Sequence, residues 1–404
     1  MRVLVVGGGS GGHITPAIAV VREILAMKPR ARVEFWTDWK YYKNVVKLTT
    51  LGRAGGDLPM RVKRVMSGKF RRYAGWSLVD YFKNWQITLV DLIWKNFWGF
   101  WGFIAGLVQS FVRLVPKDKR PDVIFLKGGF VGLPVGLVAR MLKIPYVIHE
   151  SDAAAGLANR VLMRKAARVA MGMPFEASEM RKNWEWVGIP IGEKFRKTSD
   201  LKRRSLKKTL GFVESKPLVI ITGGSQGAEH LNKTTVKILD DLLKEASVGL
   251  VAGRKHYEDM TDIKKKYEIW EEAKLMTNFR MWEFNSNMDE LFGAADVVVS
   301  RAGATTIAEL AAVARAAVLV PFERLPGAHQ VKNAERLVEK GAAEMILDGE
   351  MEKHPKKLLE KIMELIRHAK KREELALKLH EEAKYDSAKR LAEIIIEVGD
   401  GRNR

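Results

Sequence analysis

The chain has 404 residues, 47% of them hydrophobic, with 69 Lys or Arg against 48 Asp or Glu, a formal net charge of +21. That length exceeds one ordinary domain and suits two of Rossmann size. Cysteine is absent, which excludes disulfides, thiolate nucleophiles and cysteine-ligated metals and fits a reducing compartment. The charge predicts an anionic partner; with no nucleic-acid module and no zinc-finger spacing, acidic lipid or a phosphorylated substrate is expected in preference to nucleic acid.

Met1 leads directly into an apolar strand, Arg2–Val6, so no signal peptide is expected. The strand runs into Gly7-Gly8-Gly9-Ser10-Gly11-Gly12-His13. Thr15 is placed to cap the helix that follows, with Pro16 in its first turn, where a missing N–H costs nothing. Gly7, Gly9 and Gly12 satisfy G-x-G-x-x-G, and Asp38 ends the next strand, residues 33–37. That is a dinucleotide fingerprint, so an NAD-dependent dehydrogenase is a rival from another reaction class. The polar His13 at the helix entrance is something a dinucleotide loop does not need.

Residues 61–120 differ in composition. They hold twelve Lys or Arg against three Asp and no Glu, a balance of +9, and five of the eleven tryptophans: Trp76, Trp85, Trp94, Trp98 and Trp101. On a helical projection Asp80, Asn84, Asp91 and Lys95 form one stripe, continued by Gly99, Gly102 and Gly106, and the other face is broad and aromatic. Basic flanks around such a face predict a helix lying in the lipid interface. The uncharged run 96–112 is shorter than the roughly 20 residues of a membrane span. Strands before and after it are expected in one sheet, which argues against a single crossing.

Residues 122–126 resume the sheet and lead to a second glycine turn, Lys127-Gly128-Gly129-Phe130. A strand over 144–149 ends in His149-Glu150-Ser151-Asp152; a helix over 156–165 and a strand over 168–171 complete a doubly wound half. Gly188-Ile189-Pro190 reads as the crossing point, and the basic stretch 193–208 as the entry to a second domain. There the pattern restarts: a strand over 217–222, the turn Gly223-Gly224-Ser225-Gln226-Gly227-Ala228, a helix over 229–243 and a strand over 248–252. Residues 297–322 then read strand, turn (Ser300 to Ala304), helix and strand, with Glu309 in the early turns of the helix. Taken alone, Glu309 is an ordinary acid near a helix N-terminus. A second glycine turn in a second half, however, is more than a dehydrogenase needs, and points to a two-lobed sugar-nucleotide enzyme.

Six blocks in order, GGGSGGHITPAIAV, GGFVGLPVGL, IHESDAAAGLANRVL, TGGSQGAEHLN, SRAGATTIAEL and HQVKNAERL, resemble the bacterial MurG family across nearly the whole chain. The resemblance implies a GT-B fold, α/β with two Rossmann-like doubly wound domains facing a cleft: residues 1–190 for acceptor and membrane, 191–386 for the donor, and a terminal helix, 387–404, packing back on the first domain. It implies an inverting, metal-independent transfer of N-acetylglucosamine from UDP-GlcNAc to the undecaprenyl-linked acceptor lipid I, giving lipid II, at the cytoplasmic membrane face and without a cofactor. By the same resemblance Glu309 binds the ribose hydroxyls; Ser225 with the amides of Gly224, Gln226 and Gly227 holds phosphate; Ala304 and Thr305 lie against the donor; Gln330, with Asn333 beside it, reads the sugar; and Phe284 holds the uracil. Gly11, Gly12, His13, Gly128, Gly129 and Phe130 fall to the acceptor side. A histidine suits the general base, so His13 is the first choice, with Asp152 and Glu150 as alternatives. The chain departs from the family pattern at Gly192, where an arginine is usual and Lys194 or Arg196 are substitutes, at Ser151-Asp152 and at Ala328. The nearest alternative on this fold is a diacylglycerol glycosyltransferase; the non-catalytic one is a membrane scaffold retaining a UDP-sugar pocket.

Overall fold

The computed structural model describes residues 1–9, 11–50, 58–70, 93–175, 181–224, 227–268, 277–323 and 328–401. The chain forms two compact units, Met1–Ile191 with Tyr385–Arg404, and Gly192–Lys384.

Each unit is built on a parallel sheet whose central strands are short continuous apolar runs, as strands covered on both faces must be. In the first unit the order is β3-β2-β1-β4-β5-β6-β7. The strands are β1 (Arg2–Val6), β2 (Arg32–Thr37), β3 (Met60–Arg64), β4 (Val123–Leu126), β5 (Tyr146–Glu150), β6 (Arg168–Met171) and β7 (Trp184–Trp186). In the second it is β10-β9-β8-β11-β12-β13, from β8 (Leu218–Thr222), β9 (Ser247–Val251), β10 (Phe279–Trp282), β11 (Val297–Ser300), β12 (Ala316–Leu319) and β13 (Glu344–Met345). The winding reverses between β1 and β4 and again between β8 and β11, and ligands bind beyond the strand ends at such switch points.

Helix α1 (Gly11–Met27) corrects the expected start at Thr15: Gly11, Gly12 and His13 are its first turn and Pro16 lies inside it. Burial of Ile14, Ala17, Ile18 and Val21 against β1 and β2 carries the helix over the glycines. Helix α2 (Tyr42–Thr50) follows β2.

Helix α3 (Lys95–Leu114) is long and apolar enough to cross a membrane by length and composition. Its Gly99, Gly102 and Gly106 lie against the backbone of Met66, Ser67 and Lys69, so closely that no β-carbon fits at Gly106 without displacement. The opposite face leaves Trp94, Phe97, Trp98, Phe100 and Trp101 about half exposed. Strand β3 before α3 and strand β4 after it share one sheet, so a single crossing by α3 would tear that sheet apart. Asp80, Asn84 and Asp91 of the expected stripe, and the tryptophans Trp76 and Trp85, lie outside the described residues.

The first unit continues with α4 (Gly132–Met141) and α5 (Leu157–Met163). In the second, α6 (Asp200–Thr209), within the expected entry stretch, is capped by Ser199. Its Lys207 is buried and donates to Asp296 at 2.6 Å, fastening the helix to the start of β11. Then come α7 (Glu229–Glu245), α8 (Arg254–Tyr257), α9 (Thr261–Tyr267), α10 (Met288–Ala294), α11 (Ala304–Val313), α12 (His329–Glu339), α13 (Asp348–Lys353), α14 (Pro355–Arg367) and α15 (Ala369–His380). The last helix, α16 (Ser387–Gly401), belongs to the first unit, where Leu391, Ile394 and Ile395 join the core formed by α1 and β1.

Candidate active site

In the first unit the glycine turns after β1 and β4 meet at the switch point. A β-carbon on Gly9 would fall 2.8 Å from the Phe130 ring, and one on Gly129 would fall 3.4 Å from His13 Nε2. Gly9 (φ 80°), Gly128 (φ 93°) and Gly129 (φ 78°) all occupy the left-handed region, where a β-carbon is penalised. Gly11, Gly12, His13, Gly128, Gly129 and Phe130 are thereby brought to one place.

Asp38, the acid that the dinucleotide reading needs for a ribose, is already engaged. It accepts from the Gly9 N–H at 2.6 Å and the Tyr41 N–H at 3.0 Å. It shapes the glycine turn, which removes the main support for a dehydrogenase.

His13 lies on the first turn of α1 with its Nδ1 buried and unpartnered among the described residues. Burial, then the charge of Lys127, lowers its pKa to about 4, against a smaller opposing contact with the Lys127 backbone. The imidazole is therefore neutral at pH 7, with a proton-accepting nitrogen but a weaker basicity than an ordinary histidine.

Lys127, at the end of β4, is fully buried and donates to Ser151 Oγ at 2.6 Å. Burial lowers it to about 8, although Glu150 and Asp152 pull the other way. The only sequence signal for its importance was a charged residue at the end of an apolar strand. The contact explains one departure from the family pattern, since Ser151 supplies a small hydroxyl where the buried ammonium ends.

Glu150 accepts from the Gly156 N–H at 2.9 Å, Asn159 Nδ2 at 2.8 Å and the Asp152 N–H at 3.2 Å. Those bonds fix the loop between β5 and α5 and leave it poorly placed as a base. Burial, then Asp152, raises its pKa. His149 is also buried, bonded through Nε2 to the Gly188 carbonyl at 2.9 Å.

In the second unit, turns follow β8 and β11. Gly224 (φ 75°) has open space where a β-carbon would be, whereas one on Gly223 would collide with Ala228. The Gly227 N–H closes the turn on the Gly224 carbonyl at 3.0 Å. Ser225 and Gln226 lie outside the described residues.

After β11, Gly303 is the N-cap of α11, with no side-chain cap and open space around it. The free N–H groups of this first turn, which includes Ala304 and Thr305, form an anion-binding end. Glu309 is further along α11, partly accessible and without a hydrogen-bond partner among the described residues. Enclosure by the protein, with Asp289 adding to it, raises its carboxyl to about 8.

Two expected donor contacts have structural duties. Asn333 is fully buried and donates to the Ala302 carbonyl at 3.1 Å, so it positions the turn before α11 instead of facing a ligand. Gln330 accepts from the Phe322 N–H at 3.0 Å through its Oε1, which leaves its NH₂ available. Phe284, expected to hold a uracil, is exposed, with the Arg254 guanidinium 5.5 Å from its ring centre. At Gly192 a β-carbon would meet only ordinary contacts with the Phe195 ring.

Two parallel-sheet units, each with paired turns at its switch point, have the architecture of the GT-B class, to which many glycosyltransferases belong. The crystal structure of Acinetobacter baumannii MurG, 21% identical, superposes with a TM-score of 0.69 over 98% of this chain and 99% of that one. Residues 3–171 match the glycosyltransferase family 28 N-terminal domain and residues 218–391 the family 28 C-terminal domain. Two curated relatives carry the name UDP-N-acetylglucosamine–N-acetylmuramyl-(pentapeptide) pyrophosphoryl-undecaprenol N-acetylglucosamine transferase. That of Bacillus cytotoxicus is 31% identical over 98% of both chains, and that of Oenococcus oeni 30% identical over 100% of this chain and 99% of its own. The chain belongs to this MurG family of glycosyltransferases.

Proposed function

We propose that this chain transfers N-acetylglucosamine from UDP-GlcNAc to lipid I, the undecaprenyl-diphosphate-linked N-acetylmuramyl-pentapeptide, forming lipid II for peptidoglycan at the cytoplasmic face of the cell membrane. The observation that carries the reading is the end-to-end likeness, 31% over 98% of both chains, to a transferase named for that reaction.

An acceptor hydroxyl attacks the anomeric carbon from the side opposite UDP. The new C–O bond forms as the bond from that carbon to the diphosphate oxygen breaks, which inverts the centre. UDP leaves with the electron pair, and the amides at the start of α11 and of the Gly223–Gly227 turn receive the growing charge without a metal. The hydroxyl proton goes to His13, already neutral and accepting. Glu309 receives the ribose hydroxyls, Gln330 the sugar and Phe284 the uracil. The aromatic face of α3 seats the first unit on the bilayer as a peripheral protein.

Pure protein incubated with labelled UDP-GlcNAc and a short-chain lipid I analogue should yield the disaccharide product, and UDP-GlcNAc should raise its melting temperature where NAD does not. Transfer to diacylglycerol in place of lipid I, or stabilisation by NAD alone, would overturn the assignment.

A further inference from the structure

The carboxyl ends of β1, β2 and β3 carry more than a glycine turn. Arg64, the last residue of β3, pairs in register with Thr37, the last of β2. Asp38 comes next and accepts from the Gly9 N–H at 2.6 Å, which ties this end of β2 to the turn after β1. Trp39 follows it, and Tyr42, at the start of α2, donates its N–H to the Asp38 carbonyl at 3.1 Å. Three side chains thus gather at the open end of the sheet. The Arg64 guanidinium lies 3.9 Å from the Trp39 ring centre and 4.9 Å from that of Tyr42.

Stacking occupies the faces of a guanidinium and leaves the N–H donors on its edge. An arginine with a structural duty spends that edge on the chain. Arg113 donates to the Arg64 carbonyl, and Arg120 to the carbonyls of Leu114 and Val115. The Arg64 side chain is exposed and makes no hydrogen bond or ion pair among the described residues. Trp39 beneath it is 62% exposed. Residues 39–50 and 58–70 hold seven Lys or Arg and no Asp or Glu, so neither segment neutralises it. Both carboxylate oxygens of Asp38 are already taken, by the Gly9 and Tyr41 N–H groups. A planar cation held flat on rings with its edge outward is shaped for bidentate pairing with a carboxylate.

We propose that Trp39, Tyr42 and Arg64 form a subsite for a carboxylate of the peptide carried by the sugar acceptor. The proposal rests on the reading of this chain as a lipid I transferase with its acceptor at the glycine turns, and adds to it a contact with the peptide. The reach is sufficient. β1 and β3 are two strand spacings apart, roughly 10 Å, and five extended residues span about 17 Å. The exposed rings beside the cation suit a peptide, whose apolar groups pack on an aromatic face while its carboxylate meets the guanidinium.

The test uses the full chain with three short-chain acceptor analogues: one carrying the pentapeptide with free carboxylates, one with those carboxylates amidated, and one without peptide. In the native chain the free-acid acceptor should show a KM lower than the other two by about tenfold or more. Arg64→Gln should raise that KM about tenfold and the other two less than about twofold, so that the three converge. The loss falls on KM and not on kcat. Arg64→Lys, which keeps the charge without the planar fork, should recover part of it, and Trp39→Leu, which removes the platform, should raise the same KM. Equal KM values for the three acceptors in the native chain would overturn the subsite, and this comparison decides even if a variant fails to fold. A rise of all three alike in Arg64→Gln would reduce the stack to a structural role. Weaker vesicle binding by Arg64→Gln, with unmoved KM values for the soluble analogues, would give the stack to the membrane and overturn the peptide contact. No transfer by the native chain to any of the three would sink the transferase reading itself, and the subsite with it.

Discussion

Two demands conflict at the carboxyl of Glu309. Enclosure on α11 and the nearby Asp289 raise it to about 8, whereas two ribose hydroxyls are best received by the ionised form. A carboxyl raised above its unfolded value keeps its proton in the fold after the unfolded chain has released it. The stability that follows is intact below about 4.5 and declines as pH rises towards about 8. Glu309→Gln removes that decline, so it should melt higher than the native chain at pH 8 but not at pH 4, by calorimetry across that range. UDP affinity of the native chain should rise over the same interval and that of the Gln variant should stay flat, by titration calorimetry. A native affinity independent of pH would remove Glu309 from the donor site. At the other glycine turns, His13→Ala should lower turnover roughly a hundredfold or more, leaving UDP affinity intact. Lys127 provides a subtler check on the same imidazole. Lys127→Met removes the second cause of its lowered pKa but not the first, burial. The His13 titration followed by NMR should move upward from about 4 while staying below an ordinary histidine. An unmoved midpoint would show that the ammonium does not act on the ring.

At the scale of elements, backbone and side-chain requirements come apart at two glycines. Gly129→Ala should cost about 1–2 kcal/mol for its left-handed conformation and also press on His13, 3.4 Å away, so turnover should fall further than stability explains. Gly224→Ala has the same left-handed φ with open space around it, so its loss should be one of strain alone, and denaturant melts beside kinetics separate the two. Equal effects on turnover per unit of stability would reject the contact with His13. Much of this was legible in the sequence, because apolar strand runs, glycine turns and helix periodicity are local. β3 and β7 were not, since MRVKR and WEW lack an apolar run and become strands only by pairing at the sheet edges. The start of α1 was missed because helix-breaking glycines were taken at their intrinsic propensity, and burial of Ile14 and Ala17 overrode it. The duties of Asp38 and Asn333 depend on contacts made across the fold, to which spacing along the chain is blind. The helix α3 joins both kinds of information. Its glycine stripe packs inward and its aromatic stripe faces out. Trp98→Ser with Trp101→Ser should therefore weaken the salt-resistant part of vesicle binding, measured by flotation in high salt, and leave UDP binding unchanged. Unchanged flotation would make the face irrelevant to lipid.

At the scale of the whole molecule, the chain builds separate cores. Among the described residues, the clusters around β1 to β7 draw on residues 1–191 and 385–404, and the cluster around β8 to β12 on 192–384. Units with their own cores unfold as their own cooperative steps, so calorimetry should resolve two transitions. The terminal helix belongs by sequence to the end of the second unit and by packing to the first. Deleting residues 385–404 strips Leu391, Ile394 and Ile395 from the core around α1. At about 2–5 kcal/mol for each large aliphatic side chain lost, that is comparable to the whole stability of a domain, about 5–15 kcal/mol. The first-unit transition should then broaden or vanish, with lipid I transfer lost. UDP at about 100 times its dissociation constant adds about 2.7 kcal/mol to whichever unit binds it. On the proposed assignment that is residues 192–384, so the second transition should still move upward with UDP in the truncated chain, by as much as in the native one. If truncation abolishes the UDP-dependent shift, the nucleotide is held by the first unit, and the assignment of Glu309 and the Gly303 turn to the donor falls.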